Sequence, residues 1–151
     1  PRILAALPNL PKQALHGDLN LENILVAKDQ NNPIGIIDFG EMYWGARICD
    51  LAILCSFAFG QKAEPFAHIE ALVAAFHQQR PLTAVEIDVL PEFIALRCMT
   101  VLLTGEYLAS KEPDNRDYFL KSAPRSLAAL NVIMSHRDAL ASALKRISLG
   151  A

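Results

Sequence analysis

The hydrophobic rhythm of the chain changes near residue 45. Before that point apolar residues come in short runs broken by proline, glycine and asparagine; after it they recur at helical spacing almost to the end. Residues 1–13 read as a short helix and a loop, with breaks at Pro8 and Pro11. ILVA (24–27) and PIGIID (33–38) are β-rich runs, and the turn-prone KDQNN between them predicts a hairpin. Beyond Gly45, the residues Ile48, Leu51, Ala52 and Cys55 fall at i, i+3, i+4 and i+7 on one helical face. In AEPFAHIEALVAAFHQQ, a second such face carries Phe66, Ile69, Val73 and Phe76.

Thr83 and Glu86 have the spacing of a capping box, which predicts a long helix from Ala84 to about Ser110. Pro91 lies inside it and predicts a kink or a break. Two further helical stretches cover 115–134, with Pro124 as a dividing point, and 136–147. A polar hairpin followed by about four to six packed helices is an α+β arrangement, mostly helical, with residues 1–151 as a single domain. There is no repeat and no low-complexity segment.

Composition narrows the classes. The 151 residues are 52% hydrophobic and 20% charged, a globular profile, and a domain of this length buries roughly 70% of its unfolded surface. A net charge of −2 gives no electrostatic case for a nucleic-acid or membrane partner. Cys49, Cys55 and Cys98 are odd in number, form no CxxC pair and lie in apolar helical stretches, which predicts reduced, buried thiols and a cytoplasmic location. The longest uncharged apolar stretch, 51–60, is far short of the roughly 20 residues of a membrane span. The first fifteen residues have two prolines and no small-residue cleavage site, so they do not read as a signal peptide. The absence of a starting methionine suits a piece of a longer chain.

The chemistry is concentrated in HGDLNLENIL (16–25) and GIIDFGEM (35–42). Asp18 and Asn23 lie five residues apart on a loop leading into the first strand, and Asp38 ends the second. A hairpin would bring the Asn23 and Asp38 ends together, so three oxygen-bearing side chains can converge. Such a donor set suits magnesium with substrate phosphate, whereas no close His/Cys pair has zinc-ligand spacing. Asn23 and Asp38 would hold the metal, leaving Asp18 free to meet a substrate hydroxyl. Phosphoryl transfer needs that division, because it depends on positioning and charge neutralisation more than on covalent chemistry.

The order His16-Gly17-Asp18, four residues, Asn23, then Asp38-Phe39-Gly40 is similar to the H-R-D…N and D-F-G signature of kinases. With glycine after the histidine, HGDLNLENILV…GIIDFGEMYWGARICDLA resembles the C-terminal lobe of the aminoglycoside phosphotransferase and choline kinase family, nearest its homoserine kinase and hydroxylysine kinase-like branch. The resemblance covers 12 to about 55; the helical remainder adds no motif. It implies a protein-kinase-like fold using ATP and magnesium. Asp18 would be the catalytic aspartate, Asn23 and Asp38 the magnesium and nucleotide-phosphate ligands, and Asp50 a brace accepting backbone N–H groups of the catalytic loop.

Each residue taken alone has a plainer role. Asp18 suits a turn or cap, Asn23 a strand entry, and Asp38-Phe39-Gly40 a strand-ending turn. It is the joint order and spacing that favour a site. His16 reads as structural, fixing the loop through its ring N–H. Asn20 is either a ligand or loop filler. Tyr43 and Trp44 either line an acceptor pocket or wedge the loop onto the helices, and Glu41 either approaches the metal or greets a cationic substrate. His68, His77 and His136 read as solvated or edge-of-core. Glu106, Asp114 and Asp117 fit a charged helix face and receive no role.

The family's first lobe supplies a phosphate-covering loop, a phosphate-binding lysine and half the adenine pocket. Only fifteen residues precede His16 here, with no glycine-rich loop, and Lys12 in a proline loop is a poor substitute. The leading expectation is therefore an ATP-dependent small-molecule kinase acting on a hydroxyl of an amino acid, amino alcohol or aminoglycoside-like compound. By itself this chain should be inactive and should expose an apolar lobe-facing surface that invites self-association. The alternative is a non-catalytic, kinase-like binding or regulatory module, against which the intact Asp18, Asn23 and Asp38 weigh. A metal-dependent phosphohydrolase would want more ligands or a nucleophilic aspartate.

Overall fold

The computed structural model describes residues 2–28, 33–59 and 66–148. In chain order these form α1 (Arg2–Ala6), β1 (Lys12–Leu15), β2 (Ile24–Val26), β3 (Pro33–Ile36), β4 (Tyr43–Ala46), α2 (Ile48–Phe57), α3 (Ala67–Gln79), α4 (Ala84–Lys111), α5 (Arg116–Leu120) and α6 (Ala123–Ser148). The architecture is mostly helical, with two antiparallel strand pairs, β1–β4 and β2–β3.

The core is built around α4, which packs most extensively on α6 and also on α2, α5 and α1. Ile87, Leu90, Ile94 and Cys98 recur every three or four residues and are almost wholly buried. They share one cluster with Ala129, Ile133, Leu140 and Leu144 of α6 and with Ile48, Leu51 and Cys55 of α2. Full burial of a leucine or isoleucine side chain stabilises by about 1.5–3 kcal/mol, so this seam outweighs any single polar contact in the molecule. The helical faces read from the sequence are the buried ones: Ile69 and Val73 of α3 are fully enclosed, with Phe66 and Phe76 packed beside them.

The head of α4 carries the expected capping box. Thr83 Oγ1 accepts from the Glu86 N–H at 3.2 Å, and the Glu86 carboxylate accepts from the Thr83 N–H at 2.8 Å. Glu86 does more than cap, because it is fully buried and receives Arg47 through two nitrogens at 2.7 and 2.8 Å. Arg47 also donates to the Pro81 carbonyl at 2.6 Å, which ties the chain ahead of α2 to the start of α4. Burial alone would raise the Glu86 carboxyl; the hydrogen bonds from Arg47 and Thr83 outweigh it and hold that carboxyl below its ordinary value.

Three expectations are corrected or refined. The break at Pro91 is absent: α4 runs through it as one helix. Proline inside a helix costs about 3 kcal/mol, and the buried Ile87, Leu90, Phe93 and Ile94 on either side hold the axis against that cost. Residues 12–15 are strand β1, although the first two fall in the stretch read as loop. They pair with β4, from Lys12 opposite Ala46 to Leu15 opposite Tyr43. In the last third, a turn at 121–122 separates α5 from α6, Pro124 sits in the first turn of α6 where a missing N–H is tolerated, and the second boundary is a kink at His136 (φ −129°, ψ 24°).

The strands β2 and β3 do pair antiparallel, with Ile24 opposite Ile36 and Leu25 opposite Gly35. Their connecting turn (29–32) and the start of the run ahead of α3 (63–65) lie outside the described residues. Among those residues, no helix is long and apolar enough to cross a membrane.

Candidate active site

Asp50, in the first turn of α2, organises the loop after β1. Its two carboxylate oxygens accept the backbone N–H groups of His16 at 2.8 Å and Gly17 at 3.0 Å. The buried His16 ring then bridges two loops: Nδ1 accepts from the Asp18 N–H at 3.3 Å, which leaves the proton on Nε2 for the Ile37 carbonyl at 2.8 Å. Phe39 packs on the same ring, centroid to centroid 4.8 Å.

Gly17 explains why no side chain follows the histidine. Its φ is +85°, which L-residues avoid, and a Cβ there would run into the Glu41 backbone carbonyl. The loop bearing Asp18 thus lies directly on the turn that follows Asp38.

Asp18 and Asn23 are in contact. Asn23 Nδ2 donates to the Asp18 carbonyl at 2.9 Å and approaches its Oδ2 at 3.4 Å. Asn20 is buried; its Nδ2 donates to Asp18 Oδ2 at 2.9 Å while its Oδ1 caps the short turn at 21–23 through the Glu22 N–H. Asp18 Oδ1 faces Arg97 of α4 at 2.6 Å. The pair is partly open, the side chains being 24% and 30% exposed.

Asp38 reaches the same end of the hairpin by backbone, since the Ile37 N–H donates to the Asn23 carbonyl at 3.0 Å. Its carboxylate has no hydrogen bond or ion pair among the described residues, to Asp18 and Asn23 or otherwise. Asp38 is also the one described non-glycine residue at positive φ (65°). That backbone costs of order 1 kcal/mol and recurs where function needs a particular side-chain aim. No three His, Cys, Asp or Glu side chains group to hold a metal ion among the described residues.

A cleft of about 480 Å³ opens beside Asp18, within the usual size for a small-molecule site. Gly17, Asp18 and Glu41 form one wall; Arg97 and Thr100 of α4, and Arg125 of α6, form others. Tyr43 and Trp44 are not part of it. They lie on β4 and line a separate groove with Lys12 and Cys49, the Tyr43 side chain meeting that cysteine of α2.

A site of this composition, on a loop clamped to a following strand-ending turn, has relatives. The model of the phosphotransferase enzyme family matches residues 2–85. The chain belongs to that family. This phosphotransferase-family chain is 33% identical over 128 residues to hydroxylysine kinase from Xenopus laevis, covering 78% of the chain and 34% of the relative. It is 30% identical over 115 residues to hydroxylysine kinase from Mus musculus (72% and 31%) and 36% identical over 104 residues to homoserine kinase from Pseudomonas aeruginosa UCBPP-PA14 (66% and 32%). It thus spans about a third of the length of these curated relatives. No solved structure matches it.

Sequence reasoning missed Arg97 and Arg125. Arg97 did leave a signal, being the sole charge between Glu92 and Glu106 on α4. Arg125 left none; its guanidinium lies 3.9 Å over the Phe57 ring, a contact between α6 and the end of α2. The cysteines are free: burial pushes the Cys55 thiol up to about 12 and Cys98 to about 11, so neither is a nucleophile at neutral pH.

Proposed function

We propose that this chain is the C-terminal lobe of an ATP-dependent kinase that phosphorylates a hydroxyl of a small molecule. The observation that carries the reading is the joining of Asp18 to Asn23 by hydrogen bonds, beside the Asp38 turn and at the edge of a cleft, in a phosphotransferase-family chain.

Asp18 orients or deprotonates the acceptor hydroxyl. Asn20, Asn23 and Arg97 fix its carboxylate from both sides, so the acceptor meets a group already aimed. His16 and Asp50 hold the loop that carries it.

The residues fit magnesium. With Asn23 Nδ2 turned to Asp18, its Oδ1 is the atom left for a cation, and the Asp38 carboxylate is uncommitted. Magnesium takes one or two such protein oxygens plus phosphate and water, so a cluster of three carboxylates is not required. Bound there, the ion supplies neutralisation of the nucleotide phosphates.

The apolar surface on this side supports the same reading. Leu25, Val26, Ile34, Ile36 and Phe39 are exposed together on the hairpin and the turn after it. A preceding lobe carrying the phosphate-covering loop and its lysine would cover them; without it, residues 1–151 self-associate and turn over little or no ATP.

The test is ATP consumption by the native-length protein against amino alcohols, hydroxy amino acids and aminoglycosides. Turnover with one class is expected, falling by roughly 10²–10⁴ in Asp18→Asn, the range of a single acid–base group. No turnover with any acceptor, or an active Asp18→Asn protein, overturns the reading.

A further inference from the structure

Arg97 holds Asp18 by one nitrogen only. Nη2 donates to Asp18 Oδ1 at 2.6 Å, whereas Nε is enclosed without a hydrogen-bond partner and Nη1 has none among the described residues. Arg47 behaves differently: it gives Glu86 both Nε and Nη2 and adds a bond to the Pro81 carbonyl. A guanidinium whose whole task is to fasten a carboxylate uses its fork in that way. Arg97 keeps most of its donors uncommitted, on the wall of a cleft. The carboxylate shows what those donors face. Asp18 Oδ2 already receives Asn20 at 2.9 Å and Asn23 at 3.4 Å, while Oδ1 receives Arg97 alone. Each carboxylate oxygen takes about two donors, so the free place for an acceptor hydroxyl is on Oδ1. Two groups bonded to one oxygen lie within about 6 Å of each other. Among the described residues no other cation bonds Asp18: residues 16–23 hold no lysine or arginine, and Arg125 is stacked on Phe57 and turned to Ser122.

We propose that Arg97 is a catalytic residue as well as a support for Asp18, its free N–H groups donating to oxygens of the migrating phosphoryl group. This rests on the kinase reading of the same site and adds a residue to its machinery. In the transfer the acceptor oxygen bonds to the γ-phosphorus and its proton passes to Asp18, while the bond from that phosphorus to the β–γ bridging oxygen breaks to leave ADP. Charge is spread over the equatorial oxygens of the phosphoryl group, and a guanidinium fixed beside the attacking oxygen offsets it there. A turn of the guanidinium toward those oxygens would also give Nε the acceptor it lacks.

Two measurements on the native-length protein test this. One is ATP consumption with the same panel of acceptors; the other is titration calorimetry with magnesium-ADP, alone and with fluoroaluminate in the place of the phosphoryl group. Arg97→Met keeps an apolar stem and removes the donors. It is expected to lower kcat about 10²- to 10³-fold, the usual loss for one donor to developing charge, with each KM changed less than about threefold. Arg97→Lys recovers part of the rate. Magnesium-ADP alone binds Arg97→Met as before, which also shows that the site is folded. Asp18→Asn separates contact from support. Fluoroaluminate still tightens ADP binding in that variant, and adding Arg97→Met removes about 10- to 100-fold of the tightening, the worth of one charge-assisted hydrogen bond.

An Arg97→Met protein with the native kcat, no effect of Arg97→Met in the Asp18→Asn background, an equal loss of ADP binding without fluoroaluminate, or a native protein indifferent to fluoroaluminate each overturns the proposal. The second of these would leave Arg97 as a support for Asp18 and nothing more. Failure of the kinase reading looks different. It shows as a native protein that consumes no ATP with any acceptor, whereas equal ATP consumption by the native protein and Arg97→Met sinks this inference by itself.

Discussion

Two arginine–carboxylate pairs in this chain live under opposite conditions. Arg47 and Glu86 are sealed where the start of α2 meets the start of α4; the glutamate has no exposed surface and its partner is 12% exposed. Arg97 and Asp18 meet on the wall of a cleft and keep access to solvent. The contact distances are nearly the same, 2.7 and 2.6 Å, so geometry alone does not tell the pairs apart. Burial does. A sealed pair fastens elements because neither charge tolerates losing the other, while an open pair can lend its carboxylate to a third group.

The sharpest break of that contrast is Glu86→Ala. It strands Arg47 and removes half of a capping box, and is expected to cost about 3–5 kcal/mol in chemical denaturation. A loss under about 1 kcal/mol would mean that the pair is no fastening. Acid sharpens the point. Because the folded carboxyl of Glu86 lies below its ordinary value, its contribution is full above the unfolded carboxylate pKa of about 4.3 and disappears as pH falls through the lowered folded value. The stability of the native protein should therefore converge on that of Glu86→Gln at the acid end.

Next in size is Gly17→Ala, which adds a Cβ at positive φ against the Glu41 carbonyl. About 1–2 kcal/mol is expected from the backbone alone, together with loss of activity as the two loops separate. Leaving both unchanged would show that the loops do not depend on each other.

Asp18→Ala should cost no more than about 1 kcal/mol of stability, the ceiling for a solvent-accessible pair, while turnover collapses. A loss like that of Glu86→Ala would place Asp18 with the structural pair. Smallest of all, Ile34→Ser on the exposed hairpin should change the melting of the isolated chain by under about 0.5 kcal/mol, yet reduce its self-association in light scattering.

The same divide governs what could be read in advance. The helices were legible because each buried face repeats within one segment: Ile48, Leu51, Ala52 and Cys55 needed no knowledge of their partners. The capping box at Thr83 was legible for the same reason, its two residues being three apart. Asp18, Asn23 and Asp38 stood out by order and spacing, although nothing in one dimension shows the Asp38 carboxylate uncommitted while that of Asp18 is held from both sides.

Strand β1 escaped because four residues with only Leu15 buried carry no period, and its partner lies about thirty positions away on β4. Pro91 does not end its helix because a local rule meets a cost that remote packing outweighs. Arg97 and Arg125 reach the cleft from helices far along the chain. Patterns within a few residues suffice where the forces act between near neighbours. Strand pairing, the sealing of a charge and the walls of a cleft depend on segments that only folding brings together, and there the distant partner sets the outcome.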